Sequence, residues 1–324
     1  MSRYSVFNTR HLFLAALLAF CSEIVLWTNP PAREVIDWLL LALGYLALSG
    51  LLLELAARYR LRDAYGLLTL AGIYGLLNGL ILNPQSALID VPRTLITRAM
   101  GAQAFAGLLA LALFLALTGG GLRSRRKLMI VLGLTLVAGV GWGTWAHWSP
   151  VAFGNGSESA PETLLIYAGI GFLLIGAAGI AMRRDSTPGD PRLSAAGWAF
   201  SAAVLVGLAV IHLLRGEIDT LSLSLIVTLS AFSIMILWFQ KRKKGSTLLD
   251  GLGSAPDWKT LALIVAAFAV GGTAGILVPR GGASSDPLAL IGALLTAYGL
   301  IWLPAVSLVL GARAFSRQAR AMRL

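Results

Sequence analysis

Residues 36–62 read IDWLLLALGYLALSGLLLELAARYRLR, and the way this stretch ends decides the fold. From Ile36 to Ala57 only Asp37 and Glu54 are charged, and then Arg58, Arg60 and Arg62 arrive together. A hydrocarbon layer ~30 Å thick takes about 20 helical residues to cross, so the apolar part predicts a spanning helix. Its arginines mark an end retained in the cytoplasm, because Lys and Arg loops resist translocation.

The same pattern repeats on both sides of this stretch. Spans are predicted at 9–28, 36–57, 63–82, 100–119, 128–147, 162–182, 195–214, 218–240, 259–278 and 286–311. The runs are continuous, rich in Leu and Ala and too long for strands, so they are helices; inside lipid each satisfies its own backbone. The predicted fold class is an all-α polytopic integral membrane protein, with a single bundle of ten transmembrane helices over 1–324. A composition 57% hydrophobic and 13% charged, with mean hydropathy +0.79, excludes an ordinary soluble domain.

Loop charges orient the bundle. Twenty-one of the 26 Lys and Arg residues fall on one side of this drawing, the side of both termini. The other side holds Arg33, Arg93, Arg98, Arg215 and Arg280. Both termini are therefore expected in the cytoplasm and the chain in the plasma (inner) membrane. A net charge of +11 otherwise points toward nucleic acid. Here the loops account for it, and nucleic acid is not an expected partner. The bilayer is. The run Lys241, Arg242, Lys243, Lys244 is an orientation signal that also suits anionic lipid headgroups.

Several local features fit the drawing. Trp27, Trp38, Trp145 and Trp148 fall near outer helix ends, and Trp198, Trp238 and Trp258 near inner ones. Asn83 to Thr97, broken by Pro84 and Pro92, reads as a segment lying on or dipping into the outer surface. Residues 149–161 read as a flexible external loop. Gly75/Gly79, Gly139/Gly143 and Gly271/Gly275 are small-residue pairs one turn apart, which let helices approach closely. Pro304 interrupts the last span and is expected to kink it. Cys21 stands alone, so no intrachain disulfide forms. The first apolar run continues past it and reads as a retained helix rather than a cleaved signal.

Glu23 is the most informative single residue. Of fifteen acidic residues it alone sits well inside a predicted span. An ionisable group there faces a partner or a cavity, because lipid solvates it poorly. Asn78 lies at similar depth on the third span, with Tyr74 a turn below and Asn83 just above, so these four are the candidate binding residues. Together they are expected to line an outward-facing polar pocket, or else to serve as interhelical glue. Glu54 and Arg58, four residues apart on one helix face, form either an interfacial ion pair or a cytoplasmic gate. His147 and His212, both at outer helix ends, are the only metal candidates, and no ligand motif accompanies them. No cofactor is expected. Phosphate-binding loops, nucleophile elbows and paired intramembrane acids are missing.

Three functions fit this pattern. The first is a transporter of a small molecule or lipid-related solute, working at Glu23 and Asn78. The second is a non-catalytic subunit that anchors or scaffolds partner membrane subunits. A membrane-embedded lipid-modifying enzyme is the third, and it needs several polar groups converging at one depth.

Overall fold

The side chain of Asn8 starts the first helix by accepting from the Arg10 N–H, while the Asn8 backbone N–H donates to His11 Nδ1 at 3.0 Å. The computed structural model describes residues 7–27, 33–152, 159–185, 192–240, 246–252, 255–279 and 287–321. In chain order the helices are α1 (Thr9–Ala19), α2 (Val35–Arg58), α3 (Ala64–Leu77), α4 (Pro84–Ala87), α5 (Ala104–Thr118) and α6 (Arg125–Ala152). They continue as α7 (Pro161–Arg184), α8 (Ala195–Leu214), α9 (Thr220–Gln240), α10 (Trp258–Ile276) and α11 (Pro287–Ala321). Every regular element among the described residues is helical.

Among the described residues, nine helices are long and apolar enough to cross a membrane. The first predicted span is the exception. It has 11 α-helical residues and then 6 in π geometry, and it stops at Trp27, whose φ of 50° is left-handed. It is also among the most deeply packed elements, with Phe13, Leu14, Leu17 and Leu18 all buried. The segment expected to lie on the outer surface is partly absorbed into a span. After α4 and a cis Val91–Pro92 bond, the chain enters the fourth apolar span at Leu95 rather than at residue 100. The last helix runs unbroken past Pro304 to Ala321, beyond the predicted end at 311.

Two of the glycine pairs turn out to face each other. A Cβ at Gly139 would lie 2.4 Å from the Phe268 carbonyl oxygen, and one at Gly143 would lie 2.2 Å from that of Gly272. Reciprocally, Cβ atoms at Gly271 and Gly275 would meet the carbonyls of Leu136 and Val140 at 2.2 and 2.3 Å. So α6 and α10 pack backbone against backbone, which only glycine allows at this range. Gly75 does the same for the third span against the backbone of Ala99 and Ala104, and Gly79 meets the methyl groups of Ala99 and Ala87.

Three π segments set the site apart from the rest of the bundle. They are Phe20–Val25 after α1, Asn78–Leu82 after α3, and Leu95–Gln103 before α5. A π turn bonds i to i+5, so it widens the helix and leaves carbonyls poorly satisfied; such turns concentrate at functional sites. Tryptophans answer those carbonyls here. Trp142 donates to the Ile24 oxygen at 2.7 Å, Trp145 to that of Leu26 at 2.7 Å, and Trp302 to that of Met100 at 3.1 Å. Trp27 and Trp148, expected in an interface belt, are buried instead.

Candidate functional site

Glu23 sits in the first π segment and Asn78 opens the second. The widened turns aim both side chains into the space between α1, α2 and α3. Three donors converge on the two Glu23 oxygens: Arg33 bonds Oε2, while Tyr45 Oη and Asn83 Nδ2 bond Oε1, the last at 2.9 Å. Arg33 also donates to Asn83 Oδ1, so its guanidinium bridges the acid and the amide. Asn83 passes a second proton to Asn78 Oδ1 at 2.8 Å. Asn78 Nδ2 in turn donates to Tyr45 Oη at 3.1 Å and Tyr74 Oη at 3.0 Å, and Tyr74 shares a proton with Ser22 at 2.5 Å.

The result is one continuous chain of hydrogen bonds from Ser22 to Arg33. It brings together all four residues expected from the sequence: Glu23, Asn78, Tyr74 and Asn83. It adds Arg33 and Tyr45, which sequence reasoning missed. Arg33 reads as an ordinary loop charge, and Tyr45 as a core aromatic among leucines. The available signal was distance along the chain, since Arg33 follows Glu23 by ten positions, short enough for a loop residue to fold back.

The expected outward-opening pocket is closed. Glu23 is 1% exposed, Asn78 0% and Asn83 3%, and Arg33 bonds both Glu23 and Asn83. The Arg33 side chain is 17% exposed and lies 5.5 Å over the Trp38 ring, so it is the member at the water edge. A cavity of about 10 Å³ elsewhere, between Leu53, Ala56, Leu70, Leu111 and Phe114, is lined by apolar side chains alone. A space of that size without polar groups stays dry.

The remaining candidates are placed apart. Glu54 meets Arg58 at 3.5 Å and also accepts from the buried Leu193 N–H at 3.0 Å. Arg58 lies over the Trp198 ring. That geometry ties α2 to the segment before α8, as an interfacial pair does. His147 Nδ1 contacts the Ser159 carbonyl at 2.9 Å, closing the connection between α6 and α7. His212 Nδ1 contacts Glu217 at 2.5 Å, and Gln85 donates to the other Glu217 oxygen at 2.8 Å. Burial pushes Glu217 up, but the Gln85 and His212 bonds outweigh it and hold the carboxyl below its ordinary range. Among the described residues no three His, Cys, Asp or Glu side chains gather into a metal site. Lys241, Arg242, Lys243 and Lys244 lie outside the described residues. No family model, curated protein or solved structure matches this chain.

Chemically, the arrangement is an ion pair wrapped in amides and phenols within a helical bundle of membrane-spanning composition. Two buried charges cost more to desolvate than their attraction returns unless hydrogen bonds complete the site. Those bonds are present here.

Proposed function

We propose that this multi-pass protein is a transporter of a small polar solute, and that the Glu23–Arg33 network is its outer gate in the closed position. The observation that carries this reading is where Arg33 comes from. It reaches Glu23 from outside the helices, at the water edge, so the pair can part without unfolding a span. Glu23 Oε2 and Asn83 Oδ1, the two atoms that Arg33 holds, can then accept from a solute. The two π segments beneath them fit a site where helical regularity yields to function.

The orientation assumed is that of the loop charges, with both termini cytoplasmic and the network facing outward in the plasma membrane. The basic run at 241–244 would then lie against the inner leaflet and its anionic lipids.

Cys21 supplies a built-in test. It is the single cysteine, is buried, and lies two residues before Glu23. In sealed proteoliposomes a membrane-impermeant maleimide should label Cys21 slowly in the wild type and much faster in Glu23→Gln and Arg33→Gln. Unchanged labelling in variants that keep the gate broken and the thermal midpoint near wild type would defeat the gate.

A second reading has one specific observation in its favour. Every residue of the network except Arg33 is buried and hydrogen-bonded, as a static clamp in an anchoring subunit would be. In that case both variants lose stability together with the change in Cys21 labelling, and partner membrane subunits co-purify in mild detergent.

A further inference from the structure

The turn between α2 and α3 holds a charge that its surroundings leave unanswered. α2 ends at Arg58, the chain passes through Tyr59 and a left-handed Arg60 (φ 52°), and Asp63 caps α3 by accepting from Gly66 N–H at 3.0 Å. Between them, Arg62 has Nε and both Nη atoms buried with no hydrogen-bond partner. A non-glycine residue in left-handed geometry, next to a buried unpaired guanidinium, puts two local costs in one short turn.

A second stretch of chain covers this turn. Leu248 N–H donates to the Leu61 carbonyl at 2.7 Å, and Arg10 donates to the Leu252 carbonyl at 2.8 Å, which fixes residues 248–252 against it. The acid on this stretch, Asp250, is engaged elsewhere: it accepts from Thr247 N–H and Oγ1 at 2.6 and 2.7 Å. Those bonds first, and the fields of Arg60 and Arg62 after them, hold Asp250 below its ordinary range. It is near enough to be felt by Arg62 without bonding to it.

A guanidinium cannot shed its charge, and its planar fork of donors matches the oxygens of a phosphate. We propose that the α2–α3 turn is a phosphate site centred on Arg62, and that it takes the headgroup of an anionic phospholipid. Position decides for a lipid over free phosphate. The turn joins the ends of two spanning helices, which places it at headgroup level, and Arg58 and Arg60 add to the positive field there. The half-exposed 246–252 segment is the cover that such a headgroup has to share or lift. This site is separate from the Glu23 network and does not depend on the transport reading.

The test uses the full chain in vesicles of equimolar phosphatidylcholine and phosphatidylglycerol, with bound lipid read by native mass spectrometry. The wild type should retain phosphatidylglycerol over phosphatidylcholine about fivefold, the ratio given by ~1 kcal/mol for one basic residue near the surface. Arg62→Gln should bring that ratio to parity, while Arg126→Gln, which removes an exposed charge in the first turn of α6, should leave it unchanged. Equal retention by Arg62→Gln and wild type would overturn the site. So would equal losses in the two variants, since those mean a diffuse charge effect. Adding inorganic phosphate to phosphatidylcholine-only vesicles separates the sources: a thermal stabilisation matching that from phosphatidylglycerol would replace the lipid with a free anion. If Arg62→Gln does not fold, the wild type still decides, because adducts of phosphatidylcholine alone would refute the proposal.

Discussion

α3 and α8 are almost equally apolar, with best windows of mean hydropathy 1.6 and 2.0, yet 78% of the first is buried and only 17% of the second. The division holds more widely. α2 and the span ending in α5 are 67% and 56% buried, while the five spans from α6 to α10 and the span within α11 reach 28% at most. Hydropathy therefore says that a helix can enter lipid and nothing about whether it touches lipid. What separates the two regions is everything except apolarity. The amino-terminal helices carry the three π segments, the Glu23 network and most of the fully buried aromatic residues. The carboxy-terminal helices offer Leu, Ile and Val to the outside, as lipid-facing helices do without penalty.

The sharpest way to break this comparison is to remove one charge from the buried side. Glu23→Ala leaves donors on Arg33, the Tyr45 phenol and the Asn83 amide unmet, and taking one partner from a buried ion pair costs about 3–5 kcal/mol. A large fall in thermal midpoint is expected, with Arg33→Ala similar. The double variant should cost clearly less than the two added together, because each single loss already includes the other's stranded charge. Strict additivity of the three midpoints would mean that the pair is not coupled.

A smaller effect tests the one backbone-to-backbone contact described within the carboxy-terminal region. Gly143→Ala puts a methyl 2.2 Å from a backbone oxygen of α10, where nothing flexible can yield. Overpacking of this kind costs about 1–3 kcal/mol. Gly141→Ala, two residues away on the same helix, meets nothing within 4 Å. It should be neutral or slightly stabilising, since alanine favours helix by up to ~1 kcal/mol over glycine. Equal midpoints for the two variants would show that α6 and α10 are not in backbone contact.

These elements show how far the sequence could be read. The glycine pairs were legible because spacing alone puts two small residues on one face; that α6 and α10 share a contact was not, since nothing in either helix names its partner. Glu23 and Asn78 could be brought together by counting depth along two spans that run in the same direction. Arg33 escaped because a loop arginine is already explained by topology, and the residues between it and Trp27 fix no path for its side chain. The π segments left no trace at all, because composition does not distinguish a bond to residue i+5 from one to i+4. Their consequences were therefore misassigned, with Trp145 read as an interface anchor when its indole caps a carbonyl at the end of the first span.

Trp142→Phe measures that role. It keeps most of the ring contact with Phe268, 5.2 Å between centroids, and deletes the donor to the Ile24 oxygen. Leaving a buried carbonyl unmet costs about 1–3 kcal/mol. Trp258→Phe, at 57% exposure at the start of α10, removes no such bond and should leave the midpoint unchanged. A matching loss from both would place Trp142 with the lipid-facing aromatics and erase one distinction between the regions.

The smallest effect belongs to the one carboxylate tie on the open side with a clear pH signature. Glu217 joins the end of α8 to Gln85 of α4, and its folded carboxyl lies below the ordinary range. A depressed carboxyl stabilises the fold fully above the unfolded value of about 4.3 and loses that contribution as pH falls through the folded one. The difference in midpoint between wild type and Glu217→Gln should therefore be fully present above the unfolded value and shrink toward zero as pH falls through the lower, folded one. Its size should be a few tenths of a kcal/mol, since a partly exposed pair is screened by water and salt. A difference that grew on acidification would reverse the sign. It would then be the protonated acid, donating to His212 or Gln85, that holds the carboxyl-terminal end of α8 in place.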